Sequence, residues 1–257
     1  MSCGLPVGID YSGARTPESP LRGLQVYADG VDQVIRKVSP PRSSRERVKH
    51  WSRQAIARWL VDLPGSGRRF IAGIDHCFSF PRSYFLRHDL QSWEAFLDDF
   101  VLHWPTHSPG TTVQELLQNS PERIGERGEL RLGERWTQGA RSVFVFQGTG
   151  SVGKSSFAGL AWLHFIRRQA EQHIHFWPFD GWDFPDDRSV VMEAYPAICK
   201  RRYPQDGRTS DEHDAYAVAA WLRDMDSRGA LGRYSHPPLT EAEKRVAQLE
   251  GWIFGVV

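Results

Sequence analysis

Short apolar runs that end in an acid or a turn recur along most of this chain. Leu5–Asp10, Leu21–Tyr27, Val31–Val38 and Arg69–Asp75 carry strand-like apolar character and predict the first four strands. Ala28-Asp29-Gly30 holds an Asp-Gly turn signal, which predicts an antiparallel hairpin between the second and third strands. Pro40-Pro41 stops the third strand, and Ser43 or Ser44 is placed to cap a helix reaching about Leu63. Its apolar face would be Val48, Trp51, Ala55, Ile56, Trp59, Leu60 and Leu63, at helical spacing. Pro64-Gly65-Ser66-Gly67 ends it before the fourth strand.

From Pro81 to Gln138 the strand pattern gives way to helical stretches at Ser92–Leu102 and Thr111–Asn119, with a charged, loop-like Gly125–Trp136. This predicts a helical insertion over 82–138. Beyond it, Ser142–Gln147, Ile174–Trp177 and Ser189–Tyr195 read as strands, and Ser155–Gln169, Ser210 to about Met225 and Thr240–Leu249 as helices. Three short strands, a helix and another strand is the opening order of a ribonuclease H-like fold. The expected architecture is therefore α/β: a single ribonuclease H-like domain over 1–257, its mixed sheet flanked by helices, with that insertion.

The candidate chemistry lies at the ends of these elements. Val7-Gly8-Ile9-Asp10 and Ala72-Gly73-Ile74-Asp75 each deliver an aspartate to a sheet edge. Glu193 follows the apolar Ser189–Met192, and Asp214 heads the stripe Ala215, Val218, Ala219 and Leu222. Divalent cations need hard oxygen ligands converging from neighbouring elements, and bound metal neutralises their repulsion. Asp10, Asp75, Glu193 and Asp214 are the expected catalytic and metal-binding acids, for Mg2+ or Mn2+. Asp211, three residues before Asp214, is either a further ligand or a helix N-cap. His76 and His213 flank two of these acids, with packing beside the site or proton transfer as their roles.

Gly148-Thr-Gly-Ser-Val-Gly153-Lys154-Ser155 satisfies the phosphate-loop pattern and lies between a strand-like run and a helix. In that role its amides would cradle phosphates, Lys154 would reach the terminal ones and Ser155 would hold magnesium. A phosphate-loop domain, however, builds most of its parallel sheet downstream of the loop, and here only about two strands follow. Gly150, Ser151, Gly153, Lys154 and Ser155 are therefore read as a phosphate contact. ATP binding, by a phosphate loop or by an actin-like grip at Gly8-Ile9-Asp10 and Gly13, is the rival enzyme reading.

Val7–Gly13, Ala72–Pro81, Gly148–Gly153 with Gly159-Leu160, Phe176-Trp177-Pro178-Phe179, Met192–Pro196, His213-Asp214-Ala215 and Glu250-Gly251-Trp252-Ile253 together resemble domain-of-unknown-function family 429. That family is described as a predicted nuclease of ribonuclease H-like fold. The resemblance implies that Asp10, Asp75, Glu193 and Asp214 are active-site acids and that the glycine loop need not bind a nucleoside triphosphate. Lys154 departs from the family's pattern. The resulting expectation is a two-metal nuclease or phosphodiesterase acting on DNA or RNA, with a non-catalytic binding module as the third class.

Composition refines this picture. The 257 residues carry a formal net charge of +1, so a nucleic-acid partner would need a local basic patch rather than a global field. Arg42, Arg45, Arg47, Lys49, Arg53 and Arg58 form one candidate; Arg167, Arg168, Lys200, Arg201 and Arg202 form later groups, and solvated helix faces are the plainer reading of both. Cys3, Cys77 and Cys199 have no CxxC spacing and predict neither a disulfide framework nor a zinc site. No leader pattern opens the sequence, no membrane span is expected, and the expected compartment is the cytoplasm. The ten tryptophans are expected in the core or against the insertion.

Overall fold

Six strands form one mixed sheet, in a computed structural model that describes residues 4–30, 32, 34–41, 49–119, 123–148 and 150–257. They are β1 (Leu5–Asp10), β2 (Gln25–Asp29), β3 (Ile35–Lys37), β4 (Phe70–Asp75), β5 (Ile174–Phe176) and β6 (Ser189–Glu193), in spatial order β3-β2-β1-β4-β6-β5. β2 runs antiparallel to β1 and β3, while β1, β4, β6 and β5 are mutually parallel. The protein is thus α/β with a helix-flanked mixed sheet, consistent with ribonuclease H-like topology.

Helices cover both faces. They are α1 (Arg53–Gly65), α2 (Arg82–Arg87), α3 (Trp93–His103), α4 (Val113–Asn119), α5 (Leu132–Trp136), α6 (Gly153–Ala170), α7 (Ser210–Ser227), α8 (Leu231–Ser235) and α9 (Glu241–Glu250). Alternation along the strands sorts their side chains between the two sides. Val7, Ile9, Ala72, Ile74 and Val191 join the core with residues of α1, α3 and α6. Ile71, Val190 and Met192 join Val218, Trp221 and Leu222 of α7 on the opposite side. Trp51, Trp93, Trp104, Trp177 and Trp252 are almost fully buried, as large core fillers.

Helix α7 sets the geometry of the site. Thr209 caps it through a reciprocal capping box with Glu212, and an Ala-rich buried face follows. Small residues on both partners let the helix come unusually close to the sheet. A Cβ on Gly8 would stand 2.0 Å from the Ala215 carbonyl oxygen and 2.7 Å from the Ala219 nitrogen. One on Gly73 would meet Val218 Cγ1 at 2.6 Å. The two glycines of the twin Gly-Ile-Asp strings are therefore contact points for α7.

Several expectations are corrected. β2 starts at Gln25 rather than Leu21, because the preceding residues form a turn in which Leu24 N donates to Leu21 O at 3.3 Å. The first helix starts at Arg53, where Ser52 Oγ accepts from Ala55 N, and Trp51 lies outside it. The proposed caps Ser43 and Ser44 lie outside the described residues, as do Val31, Val48, Arg42, Arg45, Arg47 and Cys3. Gly125–Trp136 is not loop throughout, since Leu132–Trp136 is helical. Ser142–Gln147 is buried in its central residues yet is not a strand: its backbone turns, with Val145 N donating to Ser142 O at 3.0 Å. Cys77 and Cys199 are free and buried. Among the described residues no helix is long and apolar enough to cross a membrane.

The close approach of α7 gives a direct test. Gly8→Ala drives a methyl group into helix backbone that has no rotamer with which to yield, and is expected to cost about 3 kcal/mol of stability. Urea unfolding of both proteins measures it; an unchanged midpoint would mean that α7 does not sit this close.

Candidate functional site

β1 and β4 are parallel neighbours whose register pairs Asp10 with Asp75 and Gly8 with Gly73. Side chains at paired positions share a face, so both aspartates stand at the same end of the sheet on the side of α7. Asp214, in the second turn of α7, lies within electrostatic reach of both. No described residue donates a hydrogen bond to Asp10 or Asp75. Burial, then the charges of Asp75, Asp211 and Asp214, push the Asp10 carboxyl from 3.8 up to about 9. Burial, then Asp214 and Glu193, push Asp75 from 3.8 to about 7. In both cases Lys200 acts in the opposite sense. Its Nζ donates to both oxygens of Asp214, at 2.9 and 3.1 Å.

Glu193 is placed differently from the other acids. Its strand partner on β4 is Ile74, not Asp75, so its side chain leaves the sheet on the face away from α7. There Arg131 grips it with two donors, Nη1 to Oε2 at 2.7 Å and Nη2 to Oε1 at 2.5 Å. Phe78 N adds a third bond to Oε2 at 3.0 Å. The position that continues β6 on the α7 face is Ala194, whose methyl lies 3.0 Å from a Cβ placed on Gly73. The expectation that Glu193 joins the acid cluster as a metal ligand is corrected on this geometry. Its charge is already neutralised by a buried guanidinium, although it and Asp75 line one small cavity of about 30 Å³.

Asp211 is not the N-cap of α7, because Thr209 holds that place. It is exposed, and its carboxyl is raised by burial and by Asp214. A Cβ on Gly23 would lie 3.5 Å from its Oδ2, which sets it at the rim near Ser12. Gln25, paired with Asp10 across β1 and β2, is buried on the same face, and its Oε1 has no hydrogen-bond partner. His76 is a packing residue: its ring stacks edge-on to Tyr11, its Nδ1 lies 2.9 Å from Cys77 O, and burial lowers it to about 4. The ring of His213 lies beside Tyr216.

Among the described residues no group of three or more His, Cys, Asp or Glu side chains stands together at metal-ligand spacing. The expected four-acid cluster is reduced by the two cationic side chains, since Arg131 withdraws Glu193 and Lys200 occupies both oxygens of Asp214. The remaining donor set still fits a hard cation. Asp10 and Asp75 are adjacent, partly buried and free of donors among the described residues, and burial, then the neighbouring carboxylates, raises their proton affinity despite Lys200.

The glycine loop opens on a neighbouring cleft. Ser12, Gly13, Ser151, Lys154 and Ser155 line about 420 Å³ beside the end of β1. A Cβ on Gly13 would stand 2.0 Å from Lys154 O, so the loop after Asp10 rests directly on the start of α6. Arg53, assigned above to a basic run, is buried and braces that loop by donating to the carbonyls of Ser12, Ala14 and Arg15 at 3.1, 2.7 and 2.9 Å. The described residues of the loop depart from a nucleoside-triphosphate loop in three ways. No sheet strand precedes it, Gly153 N is spent on Val145 O at 2.9 Å, and Ser155 Oγ on Val152 O at 3.0 Å. Thr149 lies outside the described residues. Arg167 and Arg168 are engaged by Glu94, Asp180 and Asp98, leaving Lys49, Arg58, Arg201 and Arg202 exposed.

Sequence reasoning missed Arg131 altogether and read Lys200 only as part of a basic group. No family model, curated protein or solved structure matches this chain. These comparisons lend the expected likeness to family 429 no support.

Two outcomes test this geometry. Glu193→Gln leaves Arg131 short of a counter-charge and is expected to lose about 3 kcal/mol of stability in the metal-free protein. If Glu193 were instead one of several repelling ligands, the substitution would leave stability unchanged or higher. The acid pair also sets a pH dependence. The folded chain keeps protons on Asp10 and Asp75 that the unfolded chain has released, so stability falls as pH rises from 3.8 through about 7 to about 9. Asp10→Asn should flatten the upper part of that fall. Denaturation midpoints of both proteins from about pH 5 to about pH 9 measure it, and parallel curves would contradict the assignment.

Proposed function

We propose that the protein is a divalent-cation-dependent phosphodiesterase acting on nucleic acid. The observation that carries the reading is the registered pair Asp10 and Asp75, without donors among the described residues and within electrostatic reach of Asp214, at the C-terminal edge of parallel strands. Ligands of open α/β sheets bind at that edge. Asp10, Asp75 and Asp214 would hold Mg2+ or Mn2+, which supplies charge stabilisation at a phosphoryl oxygen and a water of lowered pKa. Glu193 drops out of the catalytic set and keeps a structural role.

The remaining residues have roles that need no metal geometry. The loop 11–15 is braced from behind by Arg53, which positions the backbone that follows Asp10. Lys154 has no ion-pair partner among the described residues and faces the cleft beside Asp10, where a backbone phosphate of the substrate fits its charge. The ribonuclease H-like topology and the motifs shared with family 429 support the same reading. The expected chemistry is hydrolysis of a phosphodiester bond in DNA or RNA.

The test is cleavage of labelled single- and double-stranded DNA and RNA with Mg2+ or Mn2+. Wild type should cleave at least one substrate only with metal. Asp10→Asn and Asp75→Asn should each lower the rate by about 100-fold or more, while Lys154→Ala should chiefly weaken substrate binding. Tight Mg2+-dependent ATP binding that Lys154→Ala abolishes would favour a nucleotide-dependent enzyme. Metal-independent nucleic-acid binding without cleavage would favour a binding module.

A further inference from the structure

One cation already stands among the acids. The turn Pro196–Ile198 and the following turn Lys200–Arg202 carry the chain from β6 towards α7. Cys199 anchors the crossing: it is buried, and its Sγ lies 3.5 Å from Pro196 O. The backbone of Lys200 is therefore fixed while its side chain remains 35 % exposed. The neighbouring Arg201 and Arg202 are exposed and make no ion pair with the acids. Lys200 alone turns inward, and its ammonium spans both oxygens of Asp214 at 2.9 and 3.1 Å. Its charge also reaches Asp10 and Asp75, where it counters their mutual repulsion.

We propose that Lys200 is a tethered counter-cation that occupies the place of a divalent metal on Asp214 and must be displaced for metal to bind. The inference rests on the metal-binding reading above. An ammonium on a flexible four-carbon stem is strongly hydrated, and with a third of its side chain already exposed it has a short path to solvent. A carboxylate that is bonded through both oxygens to one cation cannot also present both to a metal. The apo site thus keeps a partial counter-charge of its own, and metal affinity is the difference between two cations competing for one carboxylate. Lys200 sets how much free metal the site requires.

The experiment is direct metal binding to the full chain, with no turnover involved. Metal-stripped wild type, Lys200→Met and Lys200→Arg are titrated with Mn2+, and free Mn2+ is read by electron paramagnetic resonance. Lys200→Met should bind Mn2+ about two- to fivefold more tightly, the scale of a partly exposed ion pair, and Lys200→Arg should stay close to wild type. Equal or weaker binding by a folded Lys200→Met overturns the inference and leaves the metal site standing. Absence of Mn2+ binding in both wild type and Lys200→Met, or binding unaffected by Asp10→Asn, overturns the metal reading itself. Should Lys200→Met fail to fold, Mg2+ is titrated into wild type while the Lys200 ammonium resonance is followed by nuclear magnetic resonance. Displacement predicts that its ion-paired signal shifts as metal binds; an unmoved signal at saturating Mg2+ refutes it.

Discussion

The contact between α7 and the two glycines of β1 and β4 governs everything at the acid site. Gly8 and Gly73 leave no side chain between strand and helix, and Ala215 and Ala219 leave almost none on the helix side. The helix therefore lies against the sheet at backbone distance, and Asp214 arrives within electrostatic reach of Asp10 and Asp75. In each Gly-Ile-Asp string the glycine and the aspartate point to the same face, two residues apart. Close packing below and half-buried carboxylates above are one design. The isoleucine between them serves the core on the other side.

That same period of two excludes Glu193. β6 is paired with β4 so that Glu193 is level with Ile74, and one residue of offset sends its carboxylate to the opposite face. A buried acid there requires a buried cation, and Arg131 supplies it while also holding Glu134 at 2.9 Å and the carbonyl of Glu250 at 3.0 Å. Two arrangements of opposite meaning result from similar apolar-run-then-acid strings. On the α7 face the acids gather with only Lys200 to offset them; on the other face each acid has its partner.

Much of the fold was legible in the chain because strand alternation, Asp-Gly and Pro-Pro turn signals and the apolar stripe of α7 are local properties. The acids Asp10 and Asp75 were legible for the same reason, as ends of matched strings. What was not legible depends on register and tertiary placement. Nothing local to Val190-Val191-Met192-Glu193 tells which residue lies level with Asp75. Ser142–Gln147 has the composition of a strand but joins no strand of the sheet, and it turns on itself instead. Lys200 and Arg53 resemble surface charge in sequence, and only the path of the chain shows that one meets Asp214 and the other three carbonyls. Arg131 sits in a stretch that reads as charged loop.

Arg131 has one more consequence, for how the molecule opens. It belongs to the helical stretch 82–138, Glu193 belongs to the central sheet, and Glu250 closes α9. Glu250 binds back through its own carboxylate, accepting from Leu132 N and Arg82 N at 2.5 Å each. Partial unfolding of any one of these parts would strand buried charge in the other two, which couples the cost of opening them. Helix α5 is thereby tied both to the central sheet and to α9. On the other side, the loop 11–15 and Lys154 border the open cleft beside the end of β1.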